Sequence, residues 1–304
     1  MAATPARPLD GPPRLRTSPT AQVLRQTRPA AVLVGLLAAA IAVWECYKAL
    51  GQAAGGRIPG TSVPLPVATD DLAMPHVADI LGSLFEPVRT GVGMTLGSYL
   101  VQQAMVTLQE SLAGLLIGAL AGVALAMIFL QAGLLRRGFM PWVVASQTVP
   151  LVAIAPMIVI WSGKAGLPGS VAVAAIAAYL AFFPVTINTL RGLQSPAPAQ
   201  VEFMRSIAAP PAATLWYLRL PAALPHLFSG LRLAATASVI GAIVGEVSAG
   251  TGNGIGRGIL NFTYYYSTGP EKLFAAVLVA SLAGIVFVQA IGLLESFTLR
   301  NRQR

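Results

Sequence analysis

The apolar positions of this 304-residue chain gather into six long runs instead of alternating with polar ones. The runs lack both the polar stripe of a surface helix and the two-residue period of a half-buried strand. They approach the roughly 20 apolar residues that a helix needs to cross the hydrocarbon of a bilayer. The pattern predicts membrane-crossing helices over about residues 30–47, 112–130, 141–161, 171–190, 227–247 and 273–297. The third run contains Pro150 and Pro156, and the fourth contains Pro184. Proline lacks an N–H and disturbs a regular helix, so these three are candidate hinges, with simple kinks as the plainer reading. The expected fold is all-α: a polytopic bundle of about six transmembrane spans.

Composition moves the reading from a buried core to a lipid environment. The chain is 55% hydrophobic and 10% charged, whereas a soluble domain carries about 25% charged residues. One cysteine, Cys46, excludes an internal disulfide, and two distant histidines, His76 and His226, make a histidine metal site unexpected. The net charge of +9 raises the question of nucleic acid. The arginines, however, cluster beside apolar runs, as they do on the cytoplasmic side of membrane proteins, so no nucleic-acid partner is expected. With the N-terminus placed in the cytoplasm, 13 of the 20 Lys and Arg fall on inside segments and 6 outside, with Arg232 within the fifth run. Both termini therefore read as cytoplasmic, in a multi-pass protein of the inner membrane. The first run reads as an uncleaved anchor, because about 29 polar residues precede it and no small-residue cleavage site follows.

Between the runs, residues 1–29 are expected to be a disordered basic tail, 30–298 the membrane domain and 299–304 a second tail. Residues 48–106 read as the longest outside segment; 79–85 are either a short interfacial helix or a surface loop. Gly114, Gly118 and Gly122 recur every four residues and predict close helix packing. Polar side chains inside spans are costly and tend to face a cavity. Gln147 and Asn188 are candidates for a translocation path. Glu246 is another, with an external-loop hydrogen bond or an interfacial carboxylate as alternatives. Gly250–Gly256 read as an external loop or gate, and Tyr264–Tyr266 as an interfacial aromatic belt, with a surface that meets an external partner protein as the alternative.

Residues 191–226 are too polar to span yet show helical spacing. Val201, Met204, Ile207 and Ala208 mark one helix, stopped by Pro210 and Pro211. Leu215, Leu218 and Leu220 mark a second, ended by Pro221 and Pro225. The frame Glu202-Phe203-Met204, then Ala208, then Leu218-Arg219-Leu220-Pro221 resembles the cytoplasmic loop of ATP-binding-cassette importer permeases. That family's loop reads Glu-Ala-Ala, three residues, Gly, nine residues, Ile, one residue, Leu-Pro. Phe203, Met204, Ala208 and Leu218 depart from it. Ala208 matters most, because glycine there permits a tight turn of positive φ. Residues 107–114, 149–156 with Trp161-Ser162-Gly163, 182–189, and 220–225 with Gly230-Leu231-Arg232 resemble further family signatures. The resemblance covers about residues 60–298 and points to the subgroup serving nitrate, sulfonates, taurine and vitamin-type nitrogen heterocycles.

The resemblance implies a type I importer permease fold, a second permease copy (a homodimer), two ATP-binding subunits and a soluble extracytoplasmic binding protein. ATP and Mg would be held by the partner ATPase, with no cofactor bound by this chain. Coupling helices at about 196–220 would contact the ATPase through Glu202 and Arg205 as charge partners and Met204 and Ile207 as apolar anchors. Ala208 would shape the turn, while Leu220 and Pro221 fix the rise into the fifth span. No phosphate-binding Gly-x-x-x-x-Gly-Lys sequence is present, so the chain is not expected to be an enzyme. A stand-alone secondary transporter or channel predicts a structural repeat and paired buried charges, and an intramembrane enzyme predicts a catalytic array; the sequence suggests neither. The solute is not encoded in these motifs: a small anion or a nitrogen heterocycle fits the subgroup.

Overall fold

The computed structural model describes residues 19–58, 61–88, 93–250 and 252–300. It divides into two compact units, one ending at Val77 and one beginning at Ala78.

In the first unit α1 spans Pro19–Ala53. It starts eleven residues before the expected position, so the described part of the 1–29 tail is helical; residues 1–18 lie outside the described residues. Ala21, Gln22, Leu24 and Arg25 are strong helix formers, and proline fits a first turn. The segment after α1 folds back along it. Trp44 donates through Nε1 to the Pro75 carbonyl at 3.1 Å, and Gln52 through Nε2 to that of Thr69 at 3.1 Å. The buried Lys48 ammonium lies 2.8 Å from Asp71 and holds that carboxyl below its ordinary range. Glu45 accepts from Val77 N–H at 2.9 Å and meets His76 at 2.7 Å.

In the second unit the short helix α2, Val77–Ser83, buries Ile80 against Leu96, Leu100, Ala275 and Ala276. Helix α3 runs Leu96–Gln131, capped by Thr95, whose Oγ1 accepts from Ser98 N–H. Residues 96–106, expected in a loop, are therefore its first turns. Helix α6, Gly169–Leu193, lies at the centre, with 13 of its 25 residues buried. On one side Gly114 of α3 approaches Ala177, Gly118 approaches Ala178 and Ala181, and Gly122 approaches Phe182 and Val185. On the other, Gly230 of α9 (Leu220–Ala249) meets Pro184 and Asn188, Gly241 meets Ala177, and Gly245 meets Val173. A Cβ at Gly118 would lie 2.8 Å from both Ala178 O and Ala181 Cβ. The absent side chains let the three backbones touch.

These registers fix directions. Residue numbers rise together along α3 and α6, so the two helices are parallel; along α9 they fall as those of α6 rise, so α9 is antiparallel. The chain must therefore return between residues 131 and 169. It does so through α4, Gly133–Ala145, and α5, Leu151–Lys164, bent by 98° around Ser146–Thr148 and Pro150. The third expected span is thus one broken crossing. Only Pro150 sits at the break; Pro156 and Pro184 lie inside continuous helices. Membrane helices tolerate such prolines where neighbours satisfy the freed backbone.

After α6 comes α7, Pro198–Ser206, and then a helix that continues from Pro211 to Ala249. It is built of α8 (Pro211–Ala213), a π turn (Thr214–Arg219) and α9. Pro221 and Pro225 were expected to end this helix and do not. Leu220 N–H bonds to Leu215 O, five residues back, and this wider turn leaves room for the proline rings that follow. Helix α10, Ile255–Tyr264, occupies part of the expected external loop, and α11, Pro270–Arg300, closes the bundle against α9 through Arg232–Glu295 at 2.7 Å. Among the described residues, five helices are long and apolar enough to cross a membrane, or six if the bent pair is one span.

Candidate functional site

Polar groups concentrate at the two ends of the bundle. At the end where α6 stops, Ser195 Oγ donates to Gly192 O at 2.8 Å. Gln200 Oε1 accepts from Ala197 N–H at 3.0 Å, and Pro198 begins α7. Glu202, Phe203, Arg205, Ile207 and Ala208 are exposed, with Met204 half-buried. Glu202 and Arg205 form no salt bridge among the described residues.

Helix α7 ends in a closed turn. Ala209 N–H bonds to Met204 O and Ala208 N–H to Arg205 O, both at 2.9 Å, and Ala208 takes φ 53°. This is the paired hydrogen-bond pattern that normally places glycine at the left-handed position. Ala208 is the sole non-glycine residue of positive φ among the described residues. Pro210 and Pro211 then start the long helix, which exposes Trp216 and Tyr217. Arg219 turns back and donates to Leu193 O at 3.0 Å, neutralising a carbonyl at the end of α6. Between α7 and the end of α3 a groove of about 490 Å³ is lined by Leu130, Val201, Arg205, Leu215 and Arg219. Leu220 and Pro221 stand at the start of α9, half-buried behind this surface.

At the opposite end, Glu246 is fully buried. Its Oε2 accepts from Gly256 N–H at 2.7 Å. Gly254 N–H donates to Gln103 Oε1 at 2.6 Å, and Ile255 N–H to Thr107 Oγ1 at 2.8 Å. The first amides of α10 are thus satisfied by side chains of α3 and α9. Gly254 has φ 96°, and a Cβ there would strike the Glu246 carboxyl. Glu110, also buried, faces Glu246, and each carboxyl keeps one oxygen without a partner among the described residues.

The path candidates do not converge. Gln147 lies at the α4–α5 break, half-buried, its Nε2 without a partner among the described residues. Tyr179 of α6 donates to neighbouring Ser146 O. Asn188 faces α9 at Gly230 and donates to Pro184 O at 2.8 Å. Sixteen residues separate Gly230 from Glu246 on α9, about 24 Å along the helix. Glu246 has no exposed surface and holds the loop, which was one of its expected alternatives. The sequence places Thr107 and Glu110 only within a family signature and gives Gln103 no role, although their spacing of four and three puts all three on one face of α3. It also passed over Arg219 as a brace and the exposed Trp216–Tyr217 pair.

Residues 114–299 match the family described as binding-protein-dependent transport system inner membrane component. The chain is 34% identical over 191 residues to a formylaminopyrimidine transport permease protein of Halalkalibacterium halodurans, covering 63% of this chain and 74% of that one. It is 27% identical over 273 residues to a putative aliphatic sulfonates transport permease protein of Bacillus subtilis, covering 88% and 87%. The crystal structure of an amino acid ABC transporter with histidines shares the fold, with a TM-score of 0.54 at 18% identity, covering 66% of this chain and 94% of that one.

Proposed function

The chain belongs to the binding-protein-dependent transport system inner membrane components, the permeases of ATP-binding-cassette importers, and from that premise we propose how it works. It is a multi-pass inner-membrane protein. In our reading it couples solute passage to a separate ATP-hydrolysing subunit through α7. The observation that carries this is the exposed Glu202–Arg205 pair on a short helix locked at its end by Ala208 and braced behind by Arg219. A helix held in this way transmits displacement, whereas a loop would absorb it. Glu202 pairs with a basic residue of the ATPase and Arg205 with an acidic one, while Met204 and Ile207 fill an apolar groove between them. ATP and Mg belong to that partner.

Two copies of the chain and a soluble extracytoplasmic binding protein complete the assembly. Both chain ends face the cytoplasm, in keeping with the excess of arginine on that side. Gln147 and Asn188 belong to the path at different levels, and Glu246, buried, holds the loop beyond them. Pro150 is the main hinge, and Pro156 and Pro184 are lesser ones. The solute is a nitrogen heterocycle of pyrimidine type, a reading supported by the 34% identity to a formylaminopyrimidine permease. A small anion is the second reading, supported by the longer match to the sulfonates permease.

Purification of the tagged chain in mild detergent, beside Glu202→Arg, tests the coupling. An ATPase subunit retained by the wild type and lost from the variant supports it. Equal retention, or none in either, refutes it. Uptake of labelled pyrimidine compounds against sulfonates and nitrate by cells carrying the intact transporter separates the solute readings.

A further inference from the structure

A groove of about 440 Å³ runs along the side of the bundle between α4 and the last turns of α6. Arg136, Arg137 and Arg191 line it, together with Met140, Val144 and Ile187, and no acidic residue does. None of the three arginines makes a salt bridge among the described residues.

The order of these residues along the two helices decides what the groove can hold. Helix α4 leaves the end of the bundle that α6 approaches, so the two are antiparallel. On α4 the arginines come first and Met140 and Val144 follow at four-residue steps, on one face and progressively farther from that end. On α6 Ile187 comes first, and Arg191 follows one turn nearer the end. Both helices thus place their charge at the same mouth and their apolar side chains along the same wall beyond it. A free inorganic anion would use the mouth and leave the wall unmatched. An acidic protein surface would not reach the wall.

We propose that this groove is a binding site for an anionic phospholipid, its phosphate held by Arg136, Arg137 and Arg191 and an acyl chain lying along Met140, Val144 and Ile187. Guanidinium groups suit this task because their planar donors take two phosphate oxygens at once. Basic pockets between membrane helices recognise lipid headgroups by the same charge complementarity. The site adjoins the broken crossing, so an occupied groove would pin α4 against α6 while α5 remains free to move about Pro150.

Native mass spectrometry of the full chain released from detergent tests the proposal. The probes are phosphatidylglycerol and phosphatidylcholine of matched chain length, and inorganic phosphate. The wild type should retain phosphatidylglycerol about tenfold more than phosphatidylcholine. The double variant Arg136→Gln/Arg137→Gln and the single variant Arg191→Gln should each lose most of that preference. Arg136→Lys/Arg137→Lys should keep part of it, and Arg300→Gln, a charge change at the end of α11, should keep it all. Equal retention of the two lipids by the wild type overturns the proposal. So does loss of the preference in Arg300→Gln, which would indicate charge without a site. Displacement of the lipid by millimolar inorganic phosphate would make the mouth a free-anion site. If the arginine variants keep the lipid and instead lose a co-purifying protein subunit, the groove is a protein contact and the proposal fails. A double variant that does not fold leaves Arg191→Gln and the lysine pair to decide.

Discussion

The guanidinium of Arg219 donates a hydrogen bond to the carbonyl oxygen of Leu193, 3.0 Å away, tying the π turn before α9 to the end of α6. The two residues are 26 positions apart, and α7 lies within the stretch they enclose. In the proposed coupling, a displacement of α7 would reach both α6 and α9 through this contact. Arg219→Ala should leave membrane insertion intact and lower transport much more than ATPase binding, while Arg219→Lys, which keeps one donor, should recover part of the loss. Parallel measurement of uptake and of co-purifying ATPase checks this; an equal fall in both would make Arg219 a docking residue.

Ala208 holds a left-handed conformation at the end of α7. Replacing it by glycine removes the Cβ clash, about 1–2 kcal/mol, but adds freedom to the unfolded chain. Ala208→Gly should stabilise the turn by a net 0.5–1 kcal/mol, roughly. Ala208→Val should destabilise it by more, since a β-branched side chain tolerates positive φ poorly. Hydrogen exchange of residues 198–210 should slow in the first variant and quicken in the second.

Gly118 leaves no room between α3 and α6, with Ala178 O and Ala181 Cβ both 2.8 Å from where its Cβ would be. Gly118→Ala should cost about 1–3 kcal/mol through overpacking, and Gly118→Leu should abolish the folded yield. Gly284, which has only a side-chain atom of Val239 at 3.6 Å, provides the control: Gly284→Ala should be nearly silent. Thermal unfolding of the detergent-purified variants checks the order.

Glu246 secures the start of α10 through Gly256 N–H. Glu246→Gln keeps an acceptor of the same reach and should retain the helix. Glu246→Ala leaves a buried amide unpaired, at a cost of about 1–3 kcal/mol, and exchange protection over residues 254–264 should fall. Gly254→Ala should do the same, because it brings a Cβ onto the Glu246 carboxyl at φ 96°.

Asp71 is an exposed carboxylate whose hydrogen bond and charge interaction with buried Lys48 lower its pKa from the ordinary 3.8. Its contribution is complete above the ordinary value and is lost as pH falls through the lowered one. Exchange protection of residues 61–76 should therefore hold down to about pH 4 and fall below it. In Asp71→Asn the protection should be weaker throughout and its fall over that range smaller, since Glu45 still holds His76 and Val77.

The central crossing was readable because 171–190 is unbroken in hydropathy, and α6 extends it by only two and three residues to Gly169–Leu193. The glycine steps of α3 were readable for the same reason: their spacing of four has one physical use in lipid. The first turns of α3 were not, because Gln102, Gln103, Gln109 and Glu110 lower the local hydropathy. Burial of Thr107 and Glu110 against partners some 140 residues away is a tertiary fact. The prolines misled in one direction only. Pro221 and Pro225 signal a helix end locally, but the π turn before them relieves the clash. Helix α10 was hidden behind Gly250–Gly256, whose glycines serve a left-handed turn and the space taken by the Glu246 side chain. Of the proposed coupling surface, the motif frame singled out Glu202, Arg205 and Ala208, and the structure exposes all three. The brace from Arg219 needed coordinates, since nothing in sequence pairs it with Leu193.

Cross-linking from α7 to a partner in the membrane tests the central claim most directly. With Cys46→Ser, the chain has no other cysteine, and Phe203→Cys places one thiol on the exposed face of α7. Cells producing this variant with its transporter, treated with a short bifunctional thiol–amine reagent, should give a linked species containing an ATP-binding subunit, with a yield that changes when nucleotide is added. A thiol at residue 203 that links only to this chain, or to nothing while the ATPase is present in the same membranes, would contradict the account.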